Sequence, residues 1–474
     1  MFRAIIPSLC IVVLTGCTAA PDFTPPDYQA ALLSDNWTVN VPHHGEISSL
    51  LNWWQQSGDT HLVSLIESAQ SSHPRLESAK AALFQSRAQA NLDGANLSPA
   101  VSGNAGVQRG NSLGLTDTAG AALIATQQSA GFDMRWELDL FGGTRAQIDA
   151  SIHDANAAEN QWYDARISLA AEVATLYCDL QFRKEMIARY NQEVSSMRET
   201  LKLTRLKVKQ GITPSNDLLG LTASLSQAIT NQQSNEMVYR QGIVSLAMLT
   251  QLPPEDVNRI IEQSDGIADF SGNFAYSFPA DVLSQRPDIR AAEHRLAAAI
   301  SRVGVAQAAR YPSLSIAGMF NINKLTVGNH ATSNQIWSIA PSLSVPLYNA
   351  GSLQAQEDKA WAAVSQAEAD FQVVLQQAVE EVETNLIGVM TYQTLTEEAK
   401  NANKDYARYF EGINQSYIAG RTSLLELENA RRQYLQSSES YYSALLEQSK
   451  SWIRLYKALG GGNALSSNQT GTTL

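Results

Sequence analysis

An internal duplication with a period of about 210 residues constrains this chain more than any other feature. Four landmarks recur in the same order, and the paired positions are Pro74 with Pro287, Pro99 with Pro312, residues 138–143 with 345–351, and Gly211 with Gly420. The offsets between these partners are 213, 213, 207 to 208, and 209 residues. Offsets this steady do not arise by chance, so the chain contains two copies of one structural unit.

Each copy has the same expected order of elements: a helix, two strands, a very long helix, a turn and a second long helix. Proline is tolerated in the first turn of a helix, so Pro74 and Pro287 mark helix starts. Gly211 and Gly420 stand where the chain must reverse direction. The expected division is a signal peptide at 1–16, an N-terminal tether at 17–58, repeat 1 at 59–265, repeat 2 at 266–462 and a flexible tail at 463–474.

The expected strands alternate between apolar and polar residues. They lie at 98–110, 126–141, 311–323 and 335–348. Such alternation gives each strand one apolar and one polar face. Strands of about 10 to 15 residues are long enough to cross a bilayer when the strands are tilted. Alternation with apolar side chains outward and polar side chains inward is typical of transmembrane barrels. The alternative is a soluble sandwich, in which the same alternation packs a core.

Four strands are too few to close a barrel. Backbone groups in lipid must all be paired, so an open sheet edge is not viable there and several chains must share one barrel. Two, three or four chains would supply 8, 12 or 16 strands, and this argument alone permits each of them. The barrel interpretation therefore predicts a homo-oligomer.

The long helices carry sustained heptad spacing. They are expected at 144–209, 215–250, 354–418 and 423–459. The first shows apolar residues every seven positions, at Val173, Leu180, Ile187, Val194, Leu201 and Val208. The third continues the pattern with 4-3-4-3 spacing, at Leu375, Val379, Val382, Leu386 and Val389. A spacing of seven predicts left-handed coiled-coil packing, and about 65 residues of helix span roughly 100 Å.

The N-terminus has the features of an export signal. Arg3 is followed by a largely apolar run at 4–14 and then by Leu-Thr-Gly-Cys, which ends at Cys17. That run is too short to span a bilayer and ends in small residues, as signal peptides do. Leu-Thr-Gly-Cys also resembles the bacterial lipobox, in which the cysteine carries the lipid, so Cys17 is the expected lipidation site. The alternative is an ordinary secretory signal that happens to precede a cysteine.

Composition and motif content disfavour several other functions. The formal net charge of −12 does not suggest binding to nucleic acid, which favours a basic face. None of the common hydrolase, zinc-protease or phosphate-loop motifs is present, so neither catalysis nor a cofactor is expected. The pair His43-His44 falls in the tether, and no metal site is expected there. Of the three cysteines, Cys178 falls in a helical segment and reads as a core residue.

Several segments of the chain resemble the TolC-like outer membrane factors, in particular the lipoprotein branch that works with resistance-nodulation-division pumps. The matching segments are Cys17 with the 21–26 sequence Pro-Asp-Phe-Thr-Pro-Pro, Trp53-Trp54, the 136–142 sequence Trp-Glu-Leu-Asp-Leu-Phe-Gly, the 286–293 sequence Arg-Pro-Asp-Ile-Arg-Ala-Ala-Glu and the 455–462 sequence Leu-Tyr-Lys-Ala-Leu-Gly-Gly-Gly. Each match is short, but together they occur in the family's order on a duplicated scaffold.

This resemblance implies a mainly α-helical protein with a transmembrane β-barrel. It implies a homotrimer whose 12-stranded barrel lies in the outer membrane, above a tunnel of coiled-coil helices that extends into the periplasm. The implied partners are outer-membrane lipid, a periplasmic adaptor protein and an inner-membrane pump of the resistance-nodulation-division type. The implied function is passive export of drugs or other small molecules.

The resemblance also implies a gate at the periplasmic tip, next to the turn glycines Gly211 and Gly420. Asp217 and Glu426 each lie six residues beyond a turn glycine, and Tyr417 lies three residues before one. With Arg421, these residues would form an inter-helix network that holds the tunnel closed. The alternative is that all four are solvated turn residues, whose exposed ion pairs contribute little.

Two other functions remain open at this point. A lipid-anchored coiled-coil scaffold without a channel would explain Cys17 and the heptads, although it leaves the four strands without a purpose. A duct for peptides or siderophores with a different inner-membrane partner would use the same architecture.

Overall fold

The computed structural model of the chain describes residues 21, 23–24, 53–56, 58–111, 124–264, 266–268, 270 and 283–461. The elements are, in chain order, α1 (Trp53–Gln56), α2 (Thr60–Ser72), α3 (Pro74–Ala95), β1 (Ala100–Gly110), β2 (Ala125–Leu138), α4 (Gly143–Lys209), α5 (Ser215–Thr250), α6 (Pro254–Gln263), α7 (Pro287–Ala308), β3 (Ser313–Val327), β4 (His330–Ser344), α8 (Ser352–Ile418) and α9 (Leu424–Ala458). The signal peptide, Cys17, the His43-His44 pair and the C-terminal tail lie outside the described residues.

The two repeats contain helices of nearly equal length. Helices α3 and α7 both have 22 residues and both begin at the expected prolines. Helices α4 and α8 both have 67 residues, while α5 has 36 and α9 has 35. Both pairs of long helices begin 209 residues apart, so positions in them can be compared at that offset.

The strands differ from their expected bounds at several ends. Strand β2 ends at Leu138, because the next residue, Asp139, turns away to cap α4 by accepting hydrogen bonds from the N–H groups of Thr144 and Arg145. Strands β3 and β4 extend towards each other beyond the expected 323 and 335, until Val327 pairs with His330. Gly328, with a φ of +58°, forms the tight turn between them. Residues 345–348 are not strand, and Pro346 there has no N–H group to donate.

The chain divides into two compact units. The first comprises Met1–Pro26, Ala81–Glu159 and Ala291–Gln372, and it contains the four strands. The second comprises Asp27–Lys80, Asn160–Arg290 and Val373–Leu474. No helix among the described residues combines the length and the apolar character that crossing a bilayer requires.

Heptad positions of the long helices form the core of the second unit. Val173 and Leu180 of α4 are buried, as are Val382, Leu386 and Val389 of α8. Tyr177 is fully buried in the same core, and its hydroxyl donates a 2.7 Å hydrogen bond to Asp59. Each fully buried aliphatic side chain contributes about 1.5–3 kcal/mol by leaving water, so the seam expected from the heptads is a main source of stability. Cys178 is buried within this core, and burial raises its pKa, which fits a packing role.

Candidate functional sites: the sheet and the tip turns

The four strands of the first unit form one antiparallel sheet in the order β1-β2-β3-β4. Paired residues on neighbouring strands share a face, and the register therefore joins the apolar sides of all four strands. This apolar face contains Val101, Val107, Phe132, Met134, Trp136, Leu314, Ile316, Phe320, Ile322, Trp337, Ile339 and Leu343. The opposite, polar face contains Ser102, Asn104, Asp133, Arg135, Ser315, Asn321, Ser338 and Ser342.

The apolar face of the sheet is exposed in the single chain. Phe132 is 62% exposed, Trp337 is 72% exposed and Ile339 is 68% exposed. A continuous apolar surface of this kind marks a site of contact with another protein or with a membrane. The sequence of each strand gives only its own apolar side, and the register of the sheet joins the four apolar sides into one surface.

The sheet has two free edges. Strands β1 and β4 occupy its two ends, and each pairs with one neighbour in the described part of the chain. All residues of β4 and nearly all of β1 are exposed. Open edges present unpaired N–H and C=O groups, and natural proteins cover them with another strand or element.

The two tip turns, residues 210–214 and 419–423, have the same backbone structure. Gly211 and Gly420 both have a φ of +73°, a conformation that favours glycine. The N–H of Ile212 donates to the carbonyl of Lys207 at 2.9 Å, and the N–H of Arg421 donates to the carbonyl of Ser416 at 2.8 Å. These are the bonds of the Schellman motif, which ends a helix at a left-handed glycine.

The four residues of the expected gate have different surroundings. Tyr417 is buried, and the ammonium group of Lys207 lies 4.4 Å from its ring centre, so this contact joins α4 to α8. Glu426 accepts a hydrogen bond from Thr422, while its own N–H donates to Ser423 and caps α9. Asp217 and Arg421 are exposed. Within the described part of one chain, no ion pair links these four residues.

A buried charge cluster lies between α4 and α9, further from the tip turns. Arg431 of α9 is only 3% exposed; it forms an ion pair with Glu428 and donates hydrogen bonds of 3.1 Å to Ser196 and Thr200 of α4. Glu193 of α4 is also close, and its buried Oε2 accepts no hydrogen bond from any described residue. Burial raises the pKa of both Glu193 and Glu428, since it penalises their charged forms.

The sequence analysis did not identify this cluster. The available signal is that Arg431 falls four residues after the buried Leu427, on the stripe of α9 that packs inward. A charged residue on a buried stripe requires partners.

Three of the segments that resemble the efflux family meet in the second unit. Trp53 stacks on Tyr456 with ring centres 4.7 Å apart. Arg286 donates to the carbonyl of Ala458 at 2.8 Å and forms ion pairs with Asp288 and Glu381.

Gly460 and Gly461 follow with φ angles of +82° and +62°. A Cβ on Gly460 would lie 3.2 Å from Cα of Arg286, and one on Gly461 would lie 2.7 Å from the Ile167 side chain. The matched segments at 286–293 and 455–462 therefore pack together.

A family profile described as "Outer membrane efflux protein" matches residues 65–250 and 278–461. The chain is 28% identical over 475 residues to the solvent efflux pump outer membrane protein SrpC of Pseudomonas putida, covering 98% of this chain and 99% of the relative. It is 24% identical to nodulation protein T of Rhizobium leguminosarum bv. viciae, covering 96% and 92%.

Solved structures share the fold. The outer-membrane channel OprN superposes with a TM-score of 0.80 at 25% identity, covering 94% of this chain and 99% of that one. The open state of the Neisseria gonorrhoeae MtrE outer membrane channel has a TM-score of 0.80 at 22% identity, covering 94% and 98%. SrpC is named as the outer membrane protein of an efflux pump, and OprN and MtrE are named as outer-membrane channels.

Proposed function

Because this chain belongs to the outer membrane efflux protein family, we propose that it is the exit channel of a tripartite efflux pump. It would conduct drugs or other small molecules passively to the exterior, from an inner-membrane transporter of the resistance-nodulation-division type and a periplasmic adaptor. Proteins of this family lie at the outer membrane and extend into the periplasm, and this chain has the same location. The observation that carries the proposal is the sheet, which combines one exposed apolar face with two free edges.

The two free edges support a homo-oligomer, and the resemblance to the TolC-like factors favours three copies. Strand β1 of one chain would pair with β4 of the next, so three copies would supply 12 strands and leave no edge exposed to lipid. The apolar face would then meet the hydrocarbon and the polar face would line the lumen, which is the arrangement of transmembrane barrels.

Matched substitutions on the two faces test this orientation. Ile339→Lys places a charge on the apolar face, at an expected cost of about 2–4 kcal/mol near the middle of a bilayer. Ser338→Lys, its neighbour on β4, places the same charge on the polar face. We expect the first variant to lose trimer and pore current in planar bilayers, and the second to retain both. Equal behaviour of the two variants would contradict a lipid-facing apolar face.

Lipidation at Cys17 is the second part of the proposal. The cysteine follows an apolar signal segment and precedes a proline-rich tether, as in lipoproteins. Several acyl chains would hold the protein permanently at the membrane, since each buried methylene contributes about 0.8 kcal/mol. Mass spectrometry of the mature N-terminal peptide should show the acyl mass on Cys17, and an unmodified cysteine would exclude this anchor.

The third part is a gate formed by Asp217, Tyr417, Arg421 and Glu426. Its support is the burial of Tyr417 against Lys207 beside the tip turns, together with the exposure of Asp217 and Arg421, which leaves both charges accessible to groups of a neighbouring chain. Asp217→Ala combined with Tyr417→Phe should raise single-channel conductance in planar bilayers. Asn216→Ala combined with Gln415→Ala changes exposed neighbours and serves as the control. Unchanged conductance in the first double variant would rule out the gate.

A further inference from the structure

Two histidines from different repeats meet in the first unit. His153 lies on α4 and His294 lies on α7, and their Nδ1 atoms are 3.3 Å apart. Both side chains are half-buried, and their rings are tilted by 33° with centres 5.5 Å apart. The pair is unrelated to the sheet, the tip turns and the charge cluster, so none of the functions proposed above uses it.

The separation of the two nitrogens matches a metal site. Imidazole nitrogens bind Zn²⁺ at about 2.0–2.1 Å, and two such ligands in tetrahedral geometry are about 3.3 Å apart. Without a metal, the same separation allows one N–H···N hydrogen bond, which requires one ring to donate and the other to accept. The distance between the two nitrogens is therefore compatible with a shared metal ion.

The surroundings define the kind of site. Asp154, which follows His153 in α4, is already paired with Arg302 of α7. No group of three or more potential ligands occurs among the described residues, which leaves two imidazoles as the protein ligands here. Imidazole suits Zn²⁺, Cu²⁺ and Ni²⁺. Water would complete the coordination.

Phe23 packs beside the pair. The ring of Phe23 lies 6.2 Å from that of His153, and Phe23 also contacts the apolar cluster of Leu296, Val303 and Val364. Phe23, His153 and His294 all lie in the first unit.

We propose that His153 and His294 form a binding site for a divalent transition metal, with Zn²⁺ as the reference ion. Coordination through the two Nδ1 atoms would cross-link a helix of repeat 1 to a helix of repeat 2. The proposal rests on this geometry alone and is independent of the channel function.

Calorimetric titration of the full-length chain, purified in detergent without a polyhistidine tag, tests the site with ZnCl₂. Co²⁺ serves as a spectroscopic probe, because tetrahedral Co²⁺ with nitrogen ligands absorbs visible light strongly. The variants are His153→Gln and His294→Gln, which retain polar side chains and are checked for fold by circular dichroism and by metal-free melting temperature. The controls are His330→Gln in the hairpin and the double variant His43→Gln with His44→Gln in the tether.

The wild-type chain and both controls should bind one Zn²⁺ per chain, show the Co²⁺ absorption and melt at a higher temperature with metal. Each site variant should lose at least about 10-fold in affinity, because even groups outside the coordination shell cost that much. If a site variant does not fold, the other one and the Co²⁺ spectrum of the wild type decide. Absence of Zn²⁺ binding by the wild-type chain, or its loss only in the tether variant, would overturn the proposal.

Discussion

Helices α5 and α9 are the corresponding helices of the two repeats. Both are buried at the end that is far from the tip turns, and they differ in chemistry at the end closer to the turns. At the offset of 209 residues, Leu246 of α5 corresponds to Leu455 of α9, and both are fully buried. Closer to the turns, Leu219 and Thr222 of α5 correspond to Glu428 and Arg431 of α9. Leu219 is 68% exposed, whereas Arg431 is 3% exposed.

This difference shows where the two copies have diverged. Helix α9 buries thirteen residues and α5 buries seven, although their lengths differ by only one residue. Arg431, Ser437 and Ser438 are among the buried residues of α9, so this helix carries polar groups inside the packed unit. The duplicated backbone thus supports an apolar seam in both repeats and a buried charge cluster in one.

The largest expected effect comes from removing the centre of the charge cluster. Arg431→Ala leaves the carboxylates of Glu428 and Glu193 buried without their cation and should cost about 3–5 kcal/mol of unfolding free energy. Thr222→Ala at the corresponding exposed position of repeat 1 should change it by no more than about 0.5 kcal/mol. Urea unfolding followed by circular dichroism measures both. Equal effects would show that the repeats do not differ in this way.

The shared seam predicts equal effects in the two repeats. Leu246→Ala and Leu455→Ala each remove a fully buried side chain and should each cost about 2–5 kcal/mol. The same unfolding experiment applies, and Leu219→Ala is the exposed control. A large loss in one repeat and a negligible loss in the other would break the correspondence between the two seams.

The matched tip turns predict a smaller and equal effect. Gly211→Ala and Gly420→Ala each force a side chain into the left-handed region and should each cost about 1–2 kcal/mol. Gly220→Ala and Gly412→Ala should have the opposite effect on stability, because these glycines are in helix interiors and an added Cβ would meet open space. They should stabilise by about 0.5–1 kcal/mol. Melting temperatures of the four variants check both signs, and a tolerated alanine at only one turn would contradict their equivalence.

The smallest effect concerns Glu193, whose position in repeat 2 is taken by Ala402. Burial holds the pKa of Glu193 above its ordinary value, so its charged form destabilises the folded state at neutral pH. This cost is relieved as pH falls through the raised pKa. Glu193→Gln should therefore stabilise the protein by about 1 kcal/mol at neutral pH. This value is at the low end of the free-energy cost of burying an unsatisfied polar group.

The advantage of Glu193→Gln should shrink as the pH falls to about 4, where an ordinary glutamate is also largely protonated. Glu199→Gln, at an exposed position of the same helix, is the control. An advantage that is independent of pH would show that the carboxylate charge is not its source.

Local patterns in the sequence predicted much of the fold. The prolines at 74 and 287, the turn glycines at 211 and 420 and the heptads of α4 and α8 all concern residues within a few turns of one another. Strand ends were predicted less well, because Asp139 leaves the sheet to cap α4 and because the hairpin at Gly328 lengthens both of its strands. Of the expected gate residues, the burial of Tyr417 against Lys207 depends on how two helices pack and has no local signal.

The sequence by itself determined the duplication, the order of elements, the alternation along each strand and the family, because each depends on spacing along the chain. Only the tertiary structure decided that β2 pairs with β3 of the other repeat, which joins the apolar sides of four strands into one face. It also decided that Arg431 is buried among carboxylates and that His153 meets His294, 141 residues away. The physical reason is that such contacts depend on how distant segments pack, whereas periodic spacing reports only which side of a helix or strand a residue occupies.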